Sequence, residues 1–217
     1  MLRHILLALV ASGAAGLAAV EAIAEERSPG CDAPPPARPP ETFQVDGRER
    51  HAIVVLPQAY RADRPHALVF AFHGRTNPNA QARRYFGLEE AAFRPAIYVY
   101  PAALPDRSGR FTWADPGDSP EALRDFALFD TIFEHVTTAY CVDLDAVYAV
   151  GHSLGASFAN SLACARAHRI RAVASVAGGI TPSDCSGEVA ALLLHNPRDR
   201  AVPVSEGERA RDVLLGG

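Results

Sequence analysis

Lysine is missing from this sequence: all 21 basic residues are arginine. That excludes a phosphate-loop lysine, a Schiff-base lysine and a serine–lysine dyad from its chemistry. Basic stripes and runs of alternating aromatics and cations are missing too. With a formal net charge of −4, nucleic acid is not an expected partner. Beyond the first two dozen residues no apolar run is long enough to span a bilayer. Cysteine is scarce: Cys31, Cys141, Cys164 and Cys185 are the only four. No two have metal-ligand spacing, so they fit an oxidising compartment and permit two disulfides in three connectivities.

What is present reads as one globular domain: 217 residues, 48% hydrophobic and 21% charged,. Met1-Leu2-Arg3-His4 is a short positive region ahead of the apolar and small-residue run 5–20. Ala22-Ile23-Ala24 then completes an export signal over residues 1–24, with cleavage before Glu25,. A membrane anchor is the alternative for the same run. We expect a secreted or periplasmic protein. Residues 25–40 hold six prolines and read as an extended leader. The domain itself is placed at 41–217.

Within it, strand candidates at 43–45, 51–56, 67–72, 96–100, 146–150, 172–176 and 189–194 alternate with helical stretches at 80–93, 120–140, 154–168 and 206–215. Several of the apolar runs are continuous, as in a parallel sheet covered on both faces. Pro120 behind Ser119 suits a first helical turn. Ser205 with Glu208 reads as a capping box, and Gly216 suits the end of that helix,. The pattern predicts an α/β fold, mostly parallel, with right-handed crossovers.

Between a strand and a helix stands Gly151-His152-Ser153-Leu154-Gly155, a G-x-S-x-G string. A sharp strand-to-helix turn lifts such a serine above the sheet, and its two glycines let strand and helix approach. Ser153 is the candidate nucleophile, and the N–H of Leu154 a candidate oxyanion donor. His152 should turn away from the serine hydroxyl and pack. The strand at 67–72 runs into His73-Gly74-Arg75-Thr76-Asn77, the place where this fold sets its second oxyanion donor, assigned to Arg75 N–H,. Asp199, in His195-Asn196-Pro197-Arg198-Asp199-Arg200, follows the last apolar strand, where the triad acid belongs in the order serine, acid, histidine,. Asp184 and Glu188 precede that strand and fit less well. Trp113, the only tryptophan, is a candidate for an aromatic acyl pocket, with simple packing as its other reading.

A serine needs a base within hydrogen-bond reach, and no histidine follows Asp199. The ordinary plan places a further strand and helix there, with the histidine before the helix. We therefore expect the 217 residues to be a C-terminally truncated hydrolase. A strand and histidine donated by a partner chain, His195 or His73 as a substitute base, and a non-catalytic binding protein of the same fold remain alternatives.

The flanking segments Phe72-His73-Gly74-Arg75-Thr76-Asn77, Tyr98-Val99-Tyr100-Pro101, Tyr140-Cys141-Val142-Asp143, Ala159-Asn160-Ser161-Leu162-Ala163-Cys164 and Val176-Ala177-Gly178-Gly179 carry a wider likeness. From about Cys31 onward the chain resembles the secreted feruloyl esterase and poly(3-hydroxybutyrate) depolymerase family of α/β-hydrolases. The resemblance implies hydrolysis of carboxylic esters outside the cytoplasm, on a feruloylated polysaccharide, a polyhydroxyalkanoate or a short-chain ester. It implies no metal and no cofactor. It supports Asp199 as the acid and His195 as a scaffold of the acid loop. The family is rich in disulfides, so a missing C-terminus can leave one cysteine here unpaired.

Overall fold

The structure, a computed structural model, describes residues 26–114, 120–182 and 185–216. The expected signal peptide, its cleavage position and Asp184 lie outside the described residues.

Seven strands form one sheet in the order β1-β2-β4-β3-β7-β8-β9. β1 (Thr42–Val45) and β2 (Arg48–Val55) make an antiparallel hairpin. Its two-residue turn is Asp46-Gly47, with φ of 49° and 75°, the left-handed pair that an Asp-Gly turn favours. β2 joins β4 (Ala96–Pro101) antiparallel. From there β3 (His66–Phe72), β7 (Val142–His152), β8 (Ala172–Val176) and β9 (Ala190–Leu194) continue in parallel. All seven expected strands are present.

Helices cover both faces, which is why the central strands read as unbroken apolar runs. On one face α3 (Pro120–Ala139) brings Phe129, Ile132 and Val136, and α4 (Leu154–Ala165) brings Phe158 and Leu162, against Leu68, Phe70 and Phe72 of β3. On the other, Phe86 of α1 (Asn79–Phe86) and Leu88 of α2 (Leu88–Ala91) pack on Ala71, Tyr98 and Tyr100. Each fully buried aromatic here contributes about 1.5–3 kcal/mol relative to exposure.

The structure differs from expectation in several places. The single helix expected over 80–93 is two, because Gly87 adopts φ 56° and its N–H closes α1 on Arg83 O,. α5 (Val204–Leu214) starts one residue before Ser205, with Pro203 as N-cap and no side-chain cap, so the capping box does not form. A short hairpin of β5 (Leu104–Pro105) and β6 (Phe111–Thr112) has no counterpart in the sequence reading. Part of the leader is docked rather than loose: Ser28 N–H donates to Val142 O, and the Ser28 hydroxyl accepts from Val142 N–H and donates to Tyr140 O at 2.8 Å. Disulfides Cys31–Cys141 and Cys164–Cys185 pair all four cysteines. One of the three permitted connectivities is thus realised, and each sulfur finds a partner within the described residues. Among those residues no helix is long and apolar enough to cross a membrane.

Candidate active site

β7 delivers Ser153 and α4 begins on the next residue. Ser153 has φ 56° and ψ −125°, a backbone region that costs a non-glycine residue about 1–3 kcal/mol and needs support around it. The support is visible. Ser153 N–H donates to Val176 O at 2.9 Å, and Ser153 O accepts from Ala156 N and Ser157 N. A Cβ on Gly155 would lie 2.2 Å from Phe72 O, and one on Gly151 2.3 Å from Gly155 O. Both glycines are thus demanded by backbone approach, and the crossing of β3, β7 and α4 fixes the turn.

A second anchor comes from the helix itself. Ser157 Oγ accepts from Gly179 N, Asn160 Nδ2 donates to Gly179 O, and Ser161 Oγ accepts from Thr181 N. Their role as a polar seam to the loop after β8 depends on that loop's position, which periodicity does not encode.

The His73-Gly74 loop leans on the elbow: a Cβ on Gly74 would sit 3.5 Å from both Ser153 Cβ and His152 Nδ1. His73 is fully buried. Its Nε2 accepts from Ala103 N–H at 3.0 Å, so Nδ1 carries the proton and donates to Gly74 O at 2.7 Å,. Burial pushes the imidazole below its ordinary pKa, despite the Gly74 bond. With both nitrogens engaged, His73 is not free to serve as a base. Arg75 accepts from Phe111 N–H through its carbonyl, and its exposed guanidinium faces Asp106. His152 packs edge-on to Tyr85, with ring centroids 5.8 Å apart.

Trp113 takes the packing alternative. It is only 4% exposed, stacks on Phe158 at 5.0 Å and meets Phe72 edge-on. Its Nε1–H donates to His73 O at 2.8 Å. The indole belongs to the core beneath the loop, where the aromatic cluster of β3 and α4 claims its faces.

Asp199 lies in the turn after β9. Its Oδ1 accepts from Ala201 N at 2.8 Å and Val202 N at 3.0 Å. The Val202 and Ala201 amides hold the carboxyl below its usual pKa, and His195 and His152 add to the effect. His195 Nε2 is 2.8 Å from Val202 O, and its ring rests on Gly207 of α5, where a Cβ would be 2.5 Å from Nδ1. That is a scaffold geometry for the acid loop.

One feature went unseen in the sequence. Arg50 and Asp125, 2% and 1% exposed, form an ion pair at 2.5 Å. Asp125 Oδ2 also accepts from Ala114 N at 2.6 Å, and Arg50 donates to Ala102 O. A run of β2 and a turn of α3 give no hint of each other when read along the chain.

A strained serine between strand and helix, glycines demanded by backbone contact and a His-Gly loop against the serine together mark a hydrolase elbow. Residues 44–211 match the family described as Putative esterase. The chain belongs to this esterase family. Feruloyl esterase D of Neurospora crassa is 31% identical over 92% of the chain and 71% of that protein. Feruloyl esterase C of Emericella nidulans is 33% identical over 83% of the chain and 65% of that protein. Among solved structures, a ferulic acid esterase from Anaeromyces mucronatus superposes with a TM-score of 0.57 at 20% identity, covering 80% of this chain and 76% of its own. A Bacillus cereus carboxylesterase reaches 0.62 at 14% identity, covering 76% and 79%. These likenesses establish the α/β-hydrolase fold for the esterase, and its family makes it a carboxylic ester hydrolase.

Proposed function

We propose that this esterase is a secreted or periplasmic enzyme that cleaves esters of hydroxycinnamic acids, feruloyl esters foremost, through an acyl-enzyme on Ser153. The observation that carries the reading is the strained Ser153 backbone held against the His73-Gly74 loop. Ser153 Oγ attacks the ester carbonyl, and the developing oxyanion rests on the N–H groups of Leu154 and Arg75. Leu154 opens α4, so its N–H has no carbonyl four residues back to occupy it,. The alcohol leaves, and water releases the acid. The serine proton passes to a general base oriented by Asp199 and from that base to the departing alkoxide, a role to which no described residue is assigned. His73 serves as scaffold, since both its ring nitrogens bond the backbone, and His195 ties its Nε2 to Val202 O. The relatives' names support the feruloyl specificity, and the two disulfides support an extracytoplasmic location,.

The test is hydrolysis of p-nitrophenyl acetate and methyl ferulate by the chain and its Ser153→Ala variant. Turnover of both esters should fall at least about a thousandfold in the variant. Equal turnover in the two proteins removes Ser153 from the reaction. No turnover from the folded chain means that these 217 residues lack a working base.

A further inference from the structure

The buried Arg50–Asp125 pair stands at the head of two arms that both end on the oxyanion loop. Along one, Arg50 donates to Ala102 O at 3.1 Å and the next residue, Ala103, donates its N–H to His73 Nε2 at 3.0 Å. The imidazole passes this on through Nδ1 to Gly74 O. Along the other, Asp125 takes the N–H of Ala114 at 2.6 Å, and neighbouring Trp113 donates to His73 O at 2.8 Å. Phe111, in the same segment, donates to Arg75 O at 3.0 Å. Three consecutive carbonyls, those of His73, Gly74 and Arg75, are thus each held from the core side.

A trans peptide points its N–H opposite to its C=O, and the described chain has no cis peptide. Holding Gly74 O therefore fixes the direction of Arg75 N–H, which belongs to the same peptide plane. A donor aimed in advance at the place where charge develops costs no reorganisation during reaction. An ion pair is a poor stabiliser when buried, because desolvation offsets its attraction. Its retention here makes sense if what it supplies is position.

We infer that Arg50 and Asp125, acting through Trp113 and His73, are positioning residues that lock the Gly74–Arg75 peptide with its N–H turned to the oxyanion. The inference rests on the proposed reading of Ser153 and Arg75. It also explains why the only tryptophan is placed under the loop and not in the substrate's path.

Trp113→Phe tests it by removing the indole N–H while keeping an aromatic ring against Phe158. Turnover of p-nitrophenyl acetate should fall about tenfold with KM within about twofold, a smaller loss than deleting the donor outright. A crystal structure of the variant should show the Gly74–Arg75 peptide turned or in two orientations. In the parent protein, nitrogen chemical shifts should show His73 protonated on Nδ1 at neutral pH. Ser153-dependent turnover that is unchanged in Trp113→Phe, with the peptide in its original single orientation, overturns the inference while leaving the esterase reading intact. Turnover indifferent to Ser153→Ala removes the esterase reading instead. If the chain shows no turnover, the peptide orientation and the His73 proton decide: an unmoved peptide, or a proton on Nε2, overturns the inference.

Discussion

Ser153 and Asp199 are carried by halves of one sheet that differ sharply in how they are built. The serine half is closed. Strands β3 and β7 are covered by α3 and α4, Phe70 and Phe72 are buried, and backbone atoms of β3 lie within 2.4 Å of where a Gly155 side chain would begin. The acid half is open. Leu192 and Leu194 of β9 are 58% and 53% exposed, and Asp199 is held in a surface turn by two backbone amides. Strain in the nucleophile's backbone persists only in a tightly packed surround, whereas an acid needs only orientation and charge.

The sharpest way to break this contrast is to make the same substitution in both halves. Gly155→Ala drives a methyl into Phe72 O and His73 O, neither of which can move without the sheet, and should destabilise by about 3 kcal/mol. Gly207→Ala meets the His195 ring, which can yield at the cost of its bond to Val202 O, and alanine recovers up to about 1 kcal/mol of helix propensity in return. Thermal unfolding should therefore show a large loss for the first and almost none for the second. Equal losses would mean that the acid half is as rigid as the serine half.

Seen from the sequence, the serine half was the more legible. Its strands are unbroken apolar runs and its elbow is a local string, so both could be placed by inspection. What stayed hidden was whatever joins distant segments. The Arg50–Asp125 pair, the seam from Ser157, Asn160 and Ser161 to the loop after β8, and Ser28 against β7 each depend on a neighbour dozens of residues away. Ser205 failed as a cap for a local reason: Pro203 starts α5 a turn position earlier. Trp113 could be read either way until its indole N–H was seen to face a buried carbonyl.

The disulfides sharpen the comparison at smaller scale. Cys31–Cys141 closes a separation of 110 residues and Cys164–Cys185 one of 21. On the loop-entropy account they are worth about 4–5 and about 3 kcal/mol respectively. Replacing Cys31 and Cys141 by serine should lower the unfolding midpoint more than replacing the other pair. The reverse order would show that the docked leader contributes little to the fold.

The smallest effect concerns Asp199. Its carboxyl titrates below the ordinary value because the bonded amides of Val202 and Ala201 favour the anion. The hold on those amides is complete above the unfolded aspartate's pKa of about 3.9 and weakens as pH falls through the lowered folded value. Protection factors at Ala201 and Val202, taken relative to the intrinsic exchange rate at each pH, should be high at neutral pH and fall only in that acid window. Asp199→Ala should leave protection low throughout.

Because Trp113 is the only tryptophan and donates directly to the His73-Gly74 loop, the chain carries a built-in optical probe beneath the proposed oxyanion site. Its emission comes from a single indole stacked on Phe158, so no second fluorophore of that kind dilutes the signal. An occupied or distorted site can be followed by light from the wild-type protein, with no label attached.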